Sequence, residues 1–143
     1  MILEIASIRL NSLFLIARCW LLEPASESLA RVARVARKIR RERVHWAPLV
    51  AGLLEAGIAC KTGKQEQAKE LLRQALEVAE KGEMACYAAV ARWRLGELEG
   101  GARGNLLARQ GRDWLVEQGV KNPEAFSRMF APGVNSENSR GQA

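Results

Sequence analysis

Two interleaved sets of turn residues recur along this chain at a near-constant interval, and that regularity restricts the fold more than any other feature. Pro24, Gly63 and Gly101 are separated by 39 and 38 residues, and His45, Gly82 and Gly119 by 37 and 37. The segments between these marks carry apolar residues at helical spacing. Evenly spaced pairs of helices bury their apolar faces against the next pair, which is the logic of an α-solenoid. The spacing predicts an all-α fold, an α-α superhelix of three helical hairpins closed by a short C-terminal capping helix. A stack of that kind offers a surface and not a reaction centre.

The segments follow from local signals. Helix one is predicted over Ile2 to Leu22, and Glu23-Pro24 ends it, because proline disfavours helix in the residue before it. Helix two runs to about Arg43, with Ser26 or Ser28 as its cap and Leu29, Val32, Ala33, Ala36 and Ile39 as its apolar face. Helix three starts near Trp46-Ala47-Pro48 and stops at Gly63. Helix four spans about Lys64 to Lys81 and stops at Gly82. Helix five spans about Glu83 to Glu99 and stops at Gly100-Gly101. Helix six spans about Asn105 to Gln118 and stops at Gly119. Asn122-Pro123-Glu124 supplies a cap, a first-turn proline and a first-turn acid for a short seventh helix ending near Phe130. One domain over residues 1–133 is expected, followed by a disordered tail over residues 134–143.

Helix one is unusual. Glu4, Ser7, Asn11 and Arg18 form one narrow polar stripe, and nearly everything else is large and apolar. A surface helix carries an apolar stripe only somewhat wider than 100°, so this one reads as an interior helix of a stack. Yet its longest unbroken apolar run is Leu13 to Ala17, far short of the roughly 20 residues of a membrane span. A signal peptide requires positive charge ahead of its apolar stretch, and the start here is Met1-Ile2-Leu3-Glu4. The expectation is that residues 2–22 pair with another copy, or that the chain is a fragment or split reading frame whose preceding repeats would cover this helix.

Ala56, Gly63, Ala68, Leu72 and Ala75 occupy the small-residue, turn and helix-B places of the tetratricopeptide pattern, and Leu95-Gly96 with Ala108 repeats them. Trp93 stands one residue from the pattern's tryptophan, and Ala59 and Glu99 fill its tyrosine places. The chain is similar to a tetratricopeptide array with a repeat longer than 34 residues. In the C-terminal half, Tyr87-Ala88-Ala89, Arg92 to Leu98, Gly100-Gly101, Gly104, Trp114-Leu115, Gln118-Gly119, Asn122-Pro123 and Ala131-Pro132-Gly133 follow in order. That succession resembles the tetratricopeptide-like C-terminal region of large bacterial multidomain serine/threonine protein kinases and related signalling ATPases. The resemblance covers about Trp46 to Gly133. It implies a non-catalytic module that docks a protein or peptide, in a cytoplasmic signalling protein. It also implies a groove lined by the first helix of each hairpin, with Leu49, Leu53, Ala56, Ala89, Trp93 and Gly96 near that groove or in the adjoining core. None of the kinase motifs is present, so no kinase residue carries over.

Charge marks a second candidate surface. Seven cations lie between Arg31 and Arg43, opposed by Glu42 alone, and Arg31, Arg34, Lys38 and Arg41 share one face of helix two. Such a row attracts an acidic partner helix, and it also attracts phosphates by counterion release. It lacks the stacking aromatics that nucleic-acid readers add, so a solvated face or a contact with an acidic partner helix is the leading reading and nucleic acid or an anionic surface the alternative. Trp20, Trp46, Trp93 and Trp114 lie at helix ends or in apolar faces, where packing explains them.

No catalytic constellation emerges. Gly57 to Lys64 has five residues between its glycines and Gln65 after the lysine, where a phosphate loop needs four and a hydroxyl. His45 is the one histidine and Asp113 the one aspartate, and the glutamates read as lying on solvated helix faces, so neither a triad nor a carboxylate pair is legible. Cys19, Cys60 and Cys86 show no CxxC spacing and read as reduced thiols, not as metal ligands. No cofactor is expected.

Overall fold

A computed structural model describes residues 2–23 and 25–134. These form seven helices in succession: α1 (Ile2–Leu22), α2 (Ser26–Arg40), α3 (Ala47–Lys61), α4 (Gln65–Lys81), α5 (Ala85–Glu99), α6 (Gly101–Glu117) and α7 (Pro123–Phe130). No strand occurs among the described residues. Each helix packs on the next, and α1 also packs on α3. The length pattern repeats: α3 and α5 have 15 residues each, and α4 and α6 have 17 each. Pro24 and residues 135–143, to which the break after helix one and most of the tail were assigned, lie outside the described residues.

The helix ends follow a shared device. At the end of α3, Lys64 N–H donates to Ala59 O at 2.8 Å and Gly63 N–H to Cys60 O at 3.2 Å, with Gly63 at φ +74°. This closes the last turn in a left-handed cap that glycine adopts without steric cost. Gly119 does the same for α6, at φ +82°. At the end of α4 the left-handed residue is Glu83 (φ 55°), and Gly82 (φ −88°) is only its neighbour. The stop is correctly placed, but the residue that makes it is the glutamate.

Asn122 caps α7 as the sequence predicts, its Oδ1 accepting Ala125 N–H at 3.0 Å, with Pro123 in the first turn. The caps expected for α2 are not made. Its N-cap is Ala25, and the Ser28 hydroxyl donates instead to Glu23 Oε2 at 2.6 Å, tying the α1–α2 corner.

Helix six starts at Gly101, four residues before the predicted Asn105, so only Gly100 separates it from α5. The sequence argues against helix here, since each glycine costs about 1 kcal/mol in a helix interior. Packing overrides that cost. A Cβ on Gly96 would lie 2.5 Å from Ala108 N and closer still to Gly104 O, and one on Gly111 would lie 2.8 Å from Trp93 N. The two backbones touch, and only glycine fits between them. Forty residues earlier, the places of Gly96 and Ala108 are held by Ala56 and Ala68, both fully buried.

The core runs through the whole set. Leu10, Phe14, Ala17 and Leu21 of α1 join Val32, Ala36 and Ile39 of α2. Helix α3 is buried on nearly every side, from Leu49 to Leu54 and on to Cys60, as expected of a helix flanked by neighbours on both sides. The chain then turns back on itself. A Cβ on Gly57 of α3 would lie 2.5 Å from Pro132 O, Gly133 sits against Gly57, and Val134 is fully buried. Val134 therefore belongs to the packed body and not to the tail.

Candidate interaction surfaces

Four regions contain the chemistry available to this molecule. The first is the side of α1, α3 and α5 that meets the C-terminal segment. Leu49 and Leu53 have no exposed surface and Trp93 only 7%. Leu49 and Leu53 lie in the core with Ala56, Ala89 and Gly96, whereas Trp93 sits at its edge and also lines a cleft. Helices α1, α3 and α5 each meet residues 124–134. Arg18 Nη1 of α1 donates to Met129 O at 2.8 Å, and its guanidinium lies 4.5 Å from the Phe14 ring and 5.2 Å from the Phe130 ring. Tyr87 of α5 meets Phe130 edge-on at 5.3 Å.

Arg94 of α5 holds α7 in place. It is 1% exposed and bridges two acids, donating to Glu97 Oε2 at 2.7 Å and to Glu124 Oε1 at 3.2 Å. A buried cation persists only when paired; both Arg94 terminal nitrogens are bonded, and its Nε is left without a partner. Nothing in the sequence distinguishes Arg94 from the half-buried Arg92 beside it, because Glu124 lies 30 residues away on another helix.

The second region is a cleft of about 610 Å³ between α5, α6 and the start of α7, lined in part by Trp93, Glu97, Arg109, Arg112, Lys121 and Glu124. Glu97 accepts the Trp93 indole N–H at 3.0 Å besides the Arg94 bond, and Glu124 accepts Arg128 Nε at 2.8 Å. The sequence reading missed this cleft, since its walls come from three helices.

The third region is the outer face of α2. Arg31, Arg34, Arg37, Lys38 and Arg41 are all exposed, as predicted. Arg31 pairs with Glu27 at 2.7 Å and lies 5.9 Å from the Trp20 ring. Arg40 turns away and pairs with Glu55 of α3. Arg34, Arg37, Lys38 and Arg41 make no ion pair among the described residues.

The fourth is the outer face of α1. Ile5, Ile8, Leu15, Ile16 and Leu22 are between 46% and 70% exposed, a concentration of bare aliphatic surface found on no other helix.

The reactive side chains do not cluster. His45 is exposed, and among the described residues no group of three or more His, Cys, Asp or Glu is placed to hold a metal ion. Residues 57–61 of the glycine-lysine stretch are helical and do not form a loop. No helix of the described residues is long and apolar enough to cross a membrane. Cys19 is exposed and Cys60 buried.

Burial pushes the Cys60 thiol up to about 11 from an ordinary 9.0, and burial also raises Cys86 and Tyr87. The folded state thus holds the Cys60 proton more tightly than the unfolded chain. Its contribution to stability is intact below about pH 9 and is lost as pH rises to about 11, at about 1.4 kcal/mol per pH unit. Urea midpoints measured from pH 8 to pH 11 should fall across that window, and the fall should shrink in Cys60→Ala. At pH 8, iodoacetamide should modify Cys19 and spare Cys60 in the folded protein; equal labelling of both would refute the burial assignment.

Comparison with protein-family models, with curated proteins and with solved structures finds no match for this chain.

Proposed function

We propose that the protein is a non-catalytic protein–protein interaction module, a tetratricopeptide-like superhelix of three helical hairpins closed by α7. In this reading it is related to the C-terminal region of a bacterial serine/threonine protein kinase and works in cytoplasmic signalling. The observation that carries the reading is the pairing of a tightly packed body with one bare edge. Residues 47–134 are knitted together by glycine contacts and by Arg94, while α1 turns five large aliphatic side chains outward. Bare surface of that extent on a rigid support marks a docking site more often than an accident of folding.

A second reading follows from the cations between Arg31 and Arg43 that make no ion pair among the described residues: a binder of nucleic acid or of an anionic surface, using the face from Arg31 to Arg43. Immobilised wild-type protein and a charge-reversed Arg31/Arg34/Lys38/Arg41 variant separate the two. The module reading expects the wild type to retain a discrete protein partner from bacterial lysate after nuclease treatment, and the reversed variant to lose it. Retention of nucleic acid alone, with a salt-sensitive mobility shift at micromolar protein, would favour the second reading and overturn the first.

A further inference from the structure

The bare residues of α1 are not scattered. Ile5, Ile8, Ser12, Leu15, Cys19 and Leu22 are all exposed and follow one another at intervals of 3, 4, 3, 4 and 3 residues. This is the a/d register of a two-helix seam. A second stripe of the same period, Leu10, Phe14, Ala17 and Leu21, lies on the opposite side of the helix and is fully buried in the protein's own core. Helix α1 therefore carries two seams, one used within the chain and one open. At 21 residues it is about 31 Å long, enough for three heptads. The open seam leaves Ile5, Ile8, Leu15 and Leu22 between 53% and 70% exposed, a contiguous apolar patch of the kind that marks an interaction site.

The charge beside the seam identifies the occupant. Three contacts fix which flank of α1 faces α2: Arg9 pairs with Glu42 at 2.5 Å, Trp20 lies beneath Arg31, and Glu23 accepts from Ser28. Arg9, Ile16 and Glu23 are spaced by seven, so the half-exposed Ile16 lies on that flank between the two anchors. On α2, Lys38 stands seven residues after Arg31, hence on the same side, with Arg34 one step further out, and the exposed Arg41 follows directly after the helix ends at Arg40. The open seam is therefore bordered along its length by a row of cations.

We infer that this composite face docks an amphipathic helix with apolar residues at 3.5-residue spacing and glutamates or aspartates along one flank. The inference rests on the interaction-module reading and names its partner class and site. A second copy of the chain fits less well. An antiparallel pair of α1 helices brings the two cationic rows together, and a parallel pair sets the row beside the partner's Asn11 and Arg18, with Glu4 the sole acid on that flank. A lipid surface requires no register, and Ser12 and Cys19 in the seam would weaken insertion. A partner helix tolerates small or polar residues at such places.

The test uses the full chain and a labelled 21-residue synthetic helix with leucine at its seam positions and glutamate along its flanks. A matched peptide carries lysine for glutamate. Fluorescence anisotropy should show saturable micromolar binding of the glutamate peptide and at least tenfold weaker binding of the lysine peptide. Ile8→Glu/Leu15→Glu should weaken the glutamate peptide tenfold or more. Arg34→Glu/Lys38→Glu/Arg41→Glu should do the same and should now favour the lysine peptide. Because all five positions are exposed, unchanged melting temperatures will separate lost binding from lost folding. Arg109→Glu/Arg112→Glu, in the cleft, should leave binding unchanged.

Several results would overturn the inference: no binding of either peptide, indifference to Ile8→Glu/Leu15→Glu, or sensitivity to the cleft variant. Sedimentation of the protein alone as a dimer that Ile8→Glu dissociates would assign the seam to a second copy. Binding to phosphatidylserine vesicles in preference to the peptide would assign it to a membrane. A lysate partner held equally by wild type and by Ile8→Glu/Leu15→Glu would sink this site while leaving the module reading intact.

Discussion

Gly96→Ala and Gly111→Ala are each expected to lower the stability of the folded chain by about 3 kcal/mol, the upper end of the usual range for overpacking. For a chain of this size that corresponds to a fall of about 10 °C in melting temperature. Adding a methyl group to a helix glycine ordinarily stabilises the helix, by up to about 1 kcal/mol. Here the sign reverses because the obstacle is backbone. The Gly96 methyl meets Gly104 O, Ala108 N and Ala108 Cα, and the Gly111 methyl meets Ala89 O and Trp93 N. A flexible side chain could move aside, but main-chain atoms of a packed helix cannot, so α5 and α6 must separate along their length. Gly63→Ala is the control. Nothing lies within 4 Å of its added carbon, and its penalty comes only from φ +74°, about 1 kcal/mol. Thermal melts of the three variants should rank Gly63→Ala well above the other two. Equal melting temperatures would show that the α5–α6 contact is looser than described.

Arg94→Met should release α7. The substitution removes the cation that joins Glu97 to Glu124 and leaves an apolar side chain of similar length. Each acid keeps one other partner, Trp93 Nε1 for Glu97 and Arg128 for Glu124, and both are partly exposed, at 23% and 41%. The cost therefore falls below the 3–5 kcal/mol of a fully buried broken pair, to about 2 kcal/mol. That energy should appear locally. Hydrogen exchange over residues 123–134 should accelerate about 30-fold while α3 and α4 keep their protection. Arg94→Lys, with one compact ammonium in place of a fork, should lie between wild type and Arg94→Met. If α7 exchanged at the wild-type rate in Arg94→Met, the contacts of Arg18 and Tyr87 with Met129 and Phe130 would suffice to hold the helix.

What the sequence reveals and what it hides divides along sequence separation. Six of the seven helices both start and stop within about three residues of where caps, glycines and apolar periodicity place them, because those signals act over one or two turns. The Asn122 cap and the Gly63 and Gly119 stops are local chemistry and are recovered intact. The start of α6 is missed because helix propensity argues against Gly101 and Gly104, while the reason for them lies across the interface in Gly96 and Ala108. Arg94 is missed for the same reason, as is the burial of Val134 against α3. The sequence left Leu49 and Leu53 either at the groove or in the core; the all-round apolar character of α3 is what marks a fully enclosed helix. On α1 the open seam was present in the residue spacing from the outset, but telling it from the buried seam required knowing which side meets α2.

The central claim is that residues 47–134 form the supporting body and that the α1–α2 edge is where a partner lands. Hydrogen–deuterium exchange of the full chain, with and without the glutamate peptide at saturation, tests it most directly. The account predicts slowed exchange in α1 and α2 at Ile5–Leu22 and Arg31–Arg41, with α3 to α7 unchanged. Protection centred instead on Asn105–Glu124, around the cleft of Trp93 and Arg112, would contradict it.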